Sequence, residues 1–306
     1  MKMYLGLTRR NMLVYFKDKQ AIMFSLLTSI IVFALYMLFL RSTFVSAINE
    51  GLAEMPFIRE LIQDRDLEMF TNIKLLVGII GTAMITVPYS CLTTVTHDRE
   101  NRVDQDILAT PVRRGQIVLA YFTASSLCAI LMTSAIVTTG LVILQMNGSL
   151  YMSFTHILGT YAVIVLGCLS STALFMNIVL LFRTGSAAAS FFGILSAVSG
   201  FIIGAYVPIS QFSGRVQTVC NLFPASHTTI LLRNALLGGI LDHIDNGIGG
   251  LDGGQFAEGL RNLFTFRANM FGGSVKVSGM LAYVLVILGL SLLTMIVMYS
   301  RNYKKK

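Results

Sequence analysis

Long uncharged runs separated by short charged blocks organise this chain. Six runs reach the roughly 20 residues a helix needs to cross a hydrocarbon core of about 30 Å. They are Ala21–Leu40, Leu75–Thr96, Ile117–Met146, Ile157–Phe182, Ser186–Val207 and Val277–Ser300. The last holds twelve Leu, Ile and Val residues, each worth about −0.3 to −0.6 kcal/mol on insertion, against about 2.5 to 3.5 kcal/mol lost for one central charge. None of the six has an Asp, Glu, Lys, Arg or His in its interior. The pattern predicts an all-α integral membrane protein with six transmembrane helices. Ile117–Met146 is longer than a span needs, so it is expected to tilt or to begin below the membrane surface. Val45-Ser46-Ala47 after the first run resembles a signal-cleavage site, but the run is too long for a signal h-region.

The segments between the runs differ in character. In residues 1–19, Met3, Leu7, Met12, Leu13 and Phe16 recur at helical spacing among Arg9, Arg10, Lys17 and Lys19. This predicts a helix lying in the interface with its cations on anionic head groups, or a plain basic anchor that sets topology. Block 41–74 carries six acids and is expected to form a solvated cap with a helix from Met55 to Lys74. Residues 212–237 are too apolar for a free loop and too interrupted for a span, which predicts a helical hairpin re-entering the outer leaflet. Beyond them Gly238, Gly239, Gly247, Gly249, Gly250, Gly253 and Gly254 predict a flexible, non-helical excursion.

Composition agrees: the 306 residues are 55% apolar and 12% charged, against about 25% charged in soluble domains. A mean hydropathy of +0.72 excludes a soluble enzyme, a disordered chain or a disulfide scaffold. Of the 23 Lys and Arg, 14 fall on the side of the two termini and 9 on the other, with net charges of +9 and −1. Both termini are therefore expected in the cytoplasm, with the chain multi-pass in the plasma membrane. The pI near 9.4 reflects that bias rather than nucleic-acid binding, since there is no aromatic-interleaved basic stripe. Cys91, Cys128 and Cys168 lie inside runs and only Cys220 on the outer side, so no disulfide is expected across the outer loops. No Cys or His pair has zinc-ligand spacing, and His97, His156, His227 and His243 are scattered, so no metal site is expected. The chain has no GxxxxGK[ST], GxSxG or HExxH motif, which predicts no catalytic residues and no ATP hydrolysis of its own. Runs without ionisable groups also disfavour ion-driven transport.

Three sets of residues stand out. Ser186, Ser190, Gly193, Ala197, Gly200 and Gly204 share one helix face, where small residues allow close helix approach, either within the chain or to a second copy. Thr82, Thr86, Ser90 and Thr93 form a polar stripe beside Pro88; they either line a substrate route or bond their own helix carbonyls. The third set is the charged segment 97–114, closed by a Pro turn.

That segment resembles the coupling segment of ABC-2 type exporter permeases, which reads E-R-E-x-G-T-x-E-x-L-L-x-T-P. Asp98, Arg99 and Glu100 match its opening, and Ile107, Leu108, Thr110 and Pro111 its close. Arg102 and Val103 replace Gly-Thr, and Gln105 replaces Glu. The resemblance extends to an elbow-like start over 1–19, six spans, and Gly200 through Arg233, where Pro208, Pro224 and Arg233 would fall in the outer hairpin of 208–276. It implies a single transmembrane domain over 1–306 that dimerises, touches membrane lipid and recruits a cytoplasmic P-loop ATPase. ATP and Mg would be bound by that ATPase, and Asp98, Arg99, Glu100, Ile107, Leu108, Thr110 and Pro111 would couple the chain to it, with Arg99 and Glu100 as polar contacts and Ile107 and Leu108 packing against it. The cargo it implies is a drug, peptide, toxin or lipid, or else a lipid-linked glycan. A non-transporting membrane scaffold or sensor is the alternative of another class.

Overall fold

The computed structural model describes residues 2–53, 59, 61–249 and 252–302. Helix α1 (Lys2–Lys17) meets α2 (Lys19–Leu35) at 69°. Asp18 makes the corner: its carboxylate accepts from the Ala21 amide at 3.0 Å, an N-cap that starts a new helix in a new direction. After a π turn at Tyr36–Leu40, α3 (Arg41–Ala53) follows, so the first run continues as helix where a cap was expected. Met55 and the start of the helix expected over Met55–Lys74 lie outside the described residues. From Asp64 onward that segment belongs to α4 (Asp64–Cys91), which α5 (Thr93–Glu100) extends.

The short α6 (Val103–Ala109) leads to α7 (Arg114–Asn147), α8 (Phe154–Val179) and α9 (Gly185–Ile202). A 3-10 turn (Ile209–Gln211), α10 (Gly214–Leu222), α11 (Pro224–Ile248) and α12 (Gln255–Leu263) come next. An antiparallel hairpin of β1 (Ala268–Met270) and β2 (Gly273–Val275), with Ala268 opposite Val275, precedes α13 (Val277–Asn302).

Among the described residues five helical segments are long and apolar enough to cross a membrane: Asp64–Glu100, Arg114–Met146, Phe154–Val179, Gly185–Ile202 and Val277–Arg301. The bent α1/α2 pair makes a sixth if counted as one. The α4/α5 span is the hub, with 94% of its apolar stretch covered by the rest of the chain, against 22% for α7, α9 and α13. Leu131, Ile143, Ile194, Leu285 and Leu293 are accordingly exposed, as lipid-facing side chains must be.

Two expectations about the far segment need correction. The fifth span ends at Ile202 rather than Val207, because Gly204 turns the chain at φ +69°. The glycine-rich stretch is not a loop throughout: α11 runs unbroken through Gly238, Gly239 and Gly247 and stops at Gly249, which takes φ +67°. Packing explains Gly239, where a Cβ would sit 2.1 Å from the Tyr151 carbonyl oxygen. Composition signalled flexibility, but the neighbouring backbone imposes the helix.

Gly239→Ala should therefore lower the unfolding temperature of the purified protein, the overpacking costing about 1–3 kcal/mol. Gly247→Ala, with nothing within 4 Å of its added methyl, should be neutral or stabilising.

Candidate functional site

The connection between the second and third spans is built from helix ends. Pro88, inside α4, cannot donate to the Met84 carbonyl, and the helix breaks four residues on at Leu92. After α5, Arg102 adopts φ +61° and starts α6. The ABC-2 pattern places Gly at this position, the residue that takes a left-handed turn without penalty. Thr110 is extended, as a residue before Pro should be, and its Oγ1 donates to the Ile107 carbonyl at 2.6 Å. Pro111 is exposed.

Asp98, expected as a partner contact, is 1% exposed and committed inside the chain. It accepts from both terminal nitrogens of Arg10 on α1, Nη2 at 2.7 Å, and from the Tyr121 hydroxyl of α7 at 2.6 Å. The carboxylate's hydrogen bonding raises the Arg10 guanidinium above its ordinary value, against the opposing effect of burial. One buried carboxylate thus joins α1, α5 and α7.

Its neighbours face the turn between α8 and α9. Arg99 donates to the Leu180 carbonyl at 3.0 Å and to the Phe182 carbonyl, while Glu100 accepts from the Gly185 amide at 3.1 Å. Carbonyls left over at a helix C-terminus attract a cation, and amides left over at an N-terminus attract an anion. Consecutive residues of opposite charge therefore straddle the end of one span and the start of the next. Ile107 is buried in the chain's own inner cluster with Val95, Val118 and Leu180, and Leu108 packs half-buried beside it. Arg102, Gln105, Asp106 and Ala109 form the exposed face of the segment.

The polar and small-residue stripes both divide. Thr82 and Thr86 are fully buried and donate to the carbonyls four residues before them. Ser90 instead bonds the Ala21 carbonyl of α2, and with Thr93 it lines a groove of about 920 Å³ between α2 and α9. Phe24, Ile31, Phe192, Gly193 and Ala197 line the same groove, and Thr28 and Ser196 bridge it at 2.8 Å. Gly193 and Ala197 are exposed. Gly200 is used within the chain: a Cβ there would meet the Tyr206 ring at 2.3 Å.

At the opposite end of α9, Gly204 forms a Schellman cap, with Ala205 N bonding the Gly200 carbonyl and Gly204 N the Phe201 carbonyl. Helix α12 ends in the same motif around Thr265, through Phe266 N to Arg261 O and Thr265 N to Asn262 O. The carbonyls these caps leave over receive two buried cations. Arg233 of α11 donates to Thr265 O and, at 3.4 Å, to Ile203 O. Lys74 of α4 donates to Gly204 O at 3.3 Å and lies over the rings of Phe44 and Phe264. Pro208 begins the 3-10 turn beside this centre, and Pro224 opens α11, where its missing N–H costs nothing.

The family model described as "ABC-2 family transporter protein" matches residues 58–300. The chain belongs to the ABC-2 transporter family. No curated protein matches it. This ABC-2 permease is a multi-pass transmembrane component of an ABC transporter. Its charged connection, turns and prolines were readable from motif and spacing. Lys74 was not: it stands directly before the apolar Leu75 and reads as the last charge of a loop, yet it is 2% exposed. The inference from charge-free runs holds only for the runs as drawn, since the folded core contains both Lys74 and Arg233.

Asp98→Asn should cost about 2 kcal/mol of stability, less than the roughly 3–5 kcal/mol for a wholly buried pair because Arg10 keeps contact with water. In thermal unfolding, Arg10→Met combined with Asp98→Asn should lose less than the sum of the single changes. Arg102→Gly should gain up to about 1 kcal/mol by removing left-handed strain.

Proposed function

We propose that this permease is the transmembrane subunit of an ATP-driven exporter, powered by a separate cytoplasmic ATPase that carries ATP and Mg. The observation behind this reading is the Arg99/Glu100 clamp. A force applied to segment 97–114 passes through it to the first turn of α9, and α9 forms one wall of the groove. Discrete rigid-body movement of packed helices is how such a force becomes a change of access.

In this arrangement both termini and segment 97–114 are cytoplasmic, and α1 is an elbow in the membrane interface. Its Tyr4, Thr8, Asn11 and Tyr15 face inward while Met3, Leu13 and Phe16 face out. The hairpin of α10 and α11 lies at the outer end. The exposed face of Arg102, Gln105, Asp106 and Ala109 receives the ATPase, in place of the buried Asp98 and Ile107 and of Arg99 and Glu100, which are engaged by the turn between α8 and α9. Groove walls of aliphatic and aromatic side chains with a few hydroxyls suit a hydrophobic or amphipathic cargo. Exposed Gly193 and Ala197 let a second permease copy approach closely.

Reversing the exposed charges, as Arg102→Glu with Asp106→Lys, should cut co-purification of the ATPase at least about tenfold, which corresponds to about 1.4 kcal/mol. Arg99→Ala with Glu100→Ala should preserve that association and abolish stimulated transport in proteoliposomes. Loss of binding in the second variant and not in the first would overturn the reading.

A further inference from the structure

The Lys74/Arg233 centre lies at the far end of α9 from the Arg99/Glu100 clamp, and among the described residues its charges do not balance. The two side chains are the largest buried cations of the described chain, 2% and 1% exposed. They contact the same two short stretches, 203–204 and 264–265. Among the described residues no carboxylate pairs with either. An ammonium has three N–H donors and a guanidinium five, but among the described residues only three bonds are made, and Arg233 Nε is buried without a partner there.

The compensation present comes from two helix C-termini. Each carries roughly half a negative charge, so α9 and α12 together offset about one of the two positive charges. With both groups ionised, the other is left buried, at a cost of several kcal/mol. The aromatic faces reduce that cost only modestly, since Lys74 Nζ lies 5.6 Å and 5.9 Å from the ring centroids, near the limit of effective cation–π contact.

We propose that Lys74 and Arg233 together bind a small monovalent anion of halide size at the C-termini of α9 and α12. One negative charge neutralises the centre and gives the unused donors, Arg233 Nε among them, an acceptor. Near-complete burial favours a free inorganic ion over a lipid head group. Because the centre joins α4 and α11 to the ends of α9 and α12, occupancy stabilises the packing of these four elements.

The experiment uses the full chain purified in an uncharged, lipid-free detergent, with thermal unfolding followed in sodium chloride and in sodium gluconate of equal ionic strength. Chloride should raise the unfolding temperature saturably, by about 4 °C or more well above its dissociation constant. Lys74→Met should abolish that response and, in gluconate, unfold no lower than the wild-type chain. Lys74→Arg should retain the response. An identical unfolding temperature in both salts for the wild-type chain would overturn the proposal even if Lys74→Met fails to fold. Equal destabilisation by Lys74→Met in both salts would also overturn it, leaving the ammonium as a tie to Gly204. Inorganic phosphate and phosphatidic acid added to the gluconate sample separate the sources: a Lys74-dependent response to phosphatidic acid alone would assign the site to a lipid head group and reject a free ion.

Discussion

Backbone groups left over at helix ends are the constraint on which this structure turns. A bundle shielded from water cannot leave terminal carbonyls and amides to solvent, and several of its helices end inside the protein. The chain meets them with ionised side chains from other helices. Arg99 serves the end of α8, Glu100 the start of α9, and Arg233 and Lys74 the end of α9. Arg233 also reaches the end of α12. Each of these bonds is both a satisfied backbone group and a link between distant parts of the sequence.

Helix α9 connects that constraint to function. It is held by charge at both ends, and along its length it is mostly uncovered by the rest of the chain. Small residues on its free face border the groove and leave room for a neighbouring helix. A helix fixed at its ends and free along its side behaves as one body, the property on which the proposed coupling of segment 97–114 to the groove wall rests. The Asp98 junction adds α1 and α7 to the same assembly, so α1 is tied to the connection.

Spans and motifs were legible because they depend on local rules: apolar length, Pro and Gly at turns, and alternating charge at a helix boundary. The same rules failed for the glycine-rich stretch. Gly239 is required by the Tyr151 carbonyl, from a segment nearly ninety residues earlier, and no local pattern encodes that contact. The hydroxyl stripe shows a similar limit, since Thr82 and Thr86 serve their own helix while Ser90 and Thr93 open onto a groove. That division depends on where α2 lies.

The amino-acid sequence alone determined that this is a helical membrane protein, roughly where its apolar spans lie, and which charged connection resembles a coupling segment. These conclusions rest on the transfer free energy of each residue and on short-range backbone chemistry, which need no knowledge of neighbours. Tertiary structure decided which charges are spent inside the chain and which stay exposed. Asp98 is buried, Arg99 and Glu100 are spent on the turn between α8 and α9, and Lys74 moved from the end of a loop into the core. The reason is that a charge is placed by whatever opposite charge or helix end the fold brings to it, across separations of up to 130 residues.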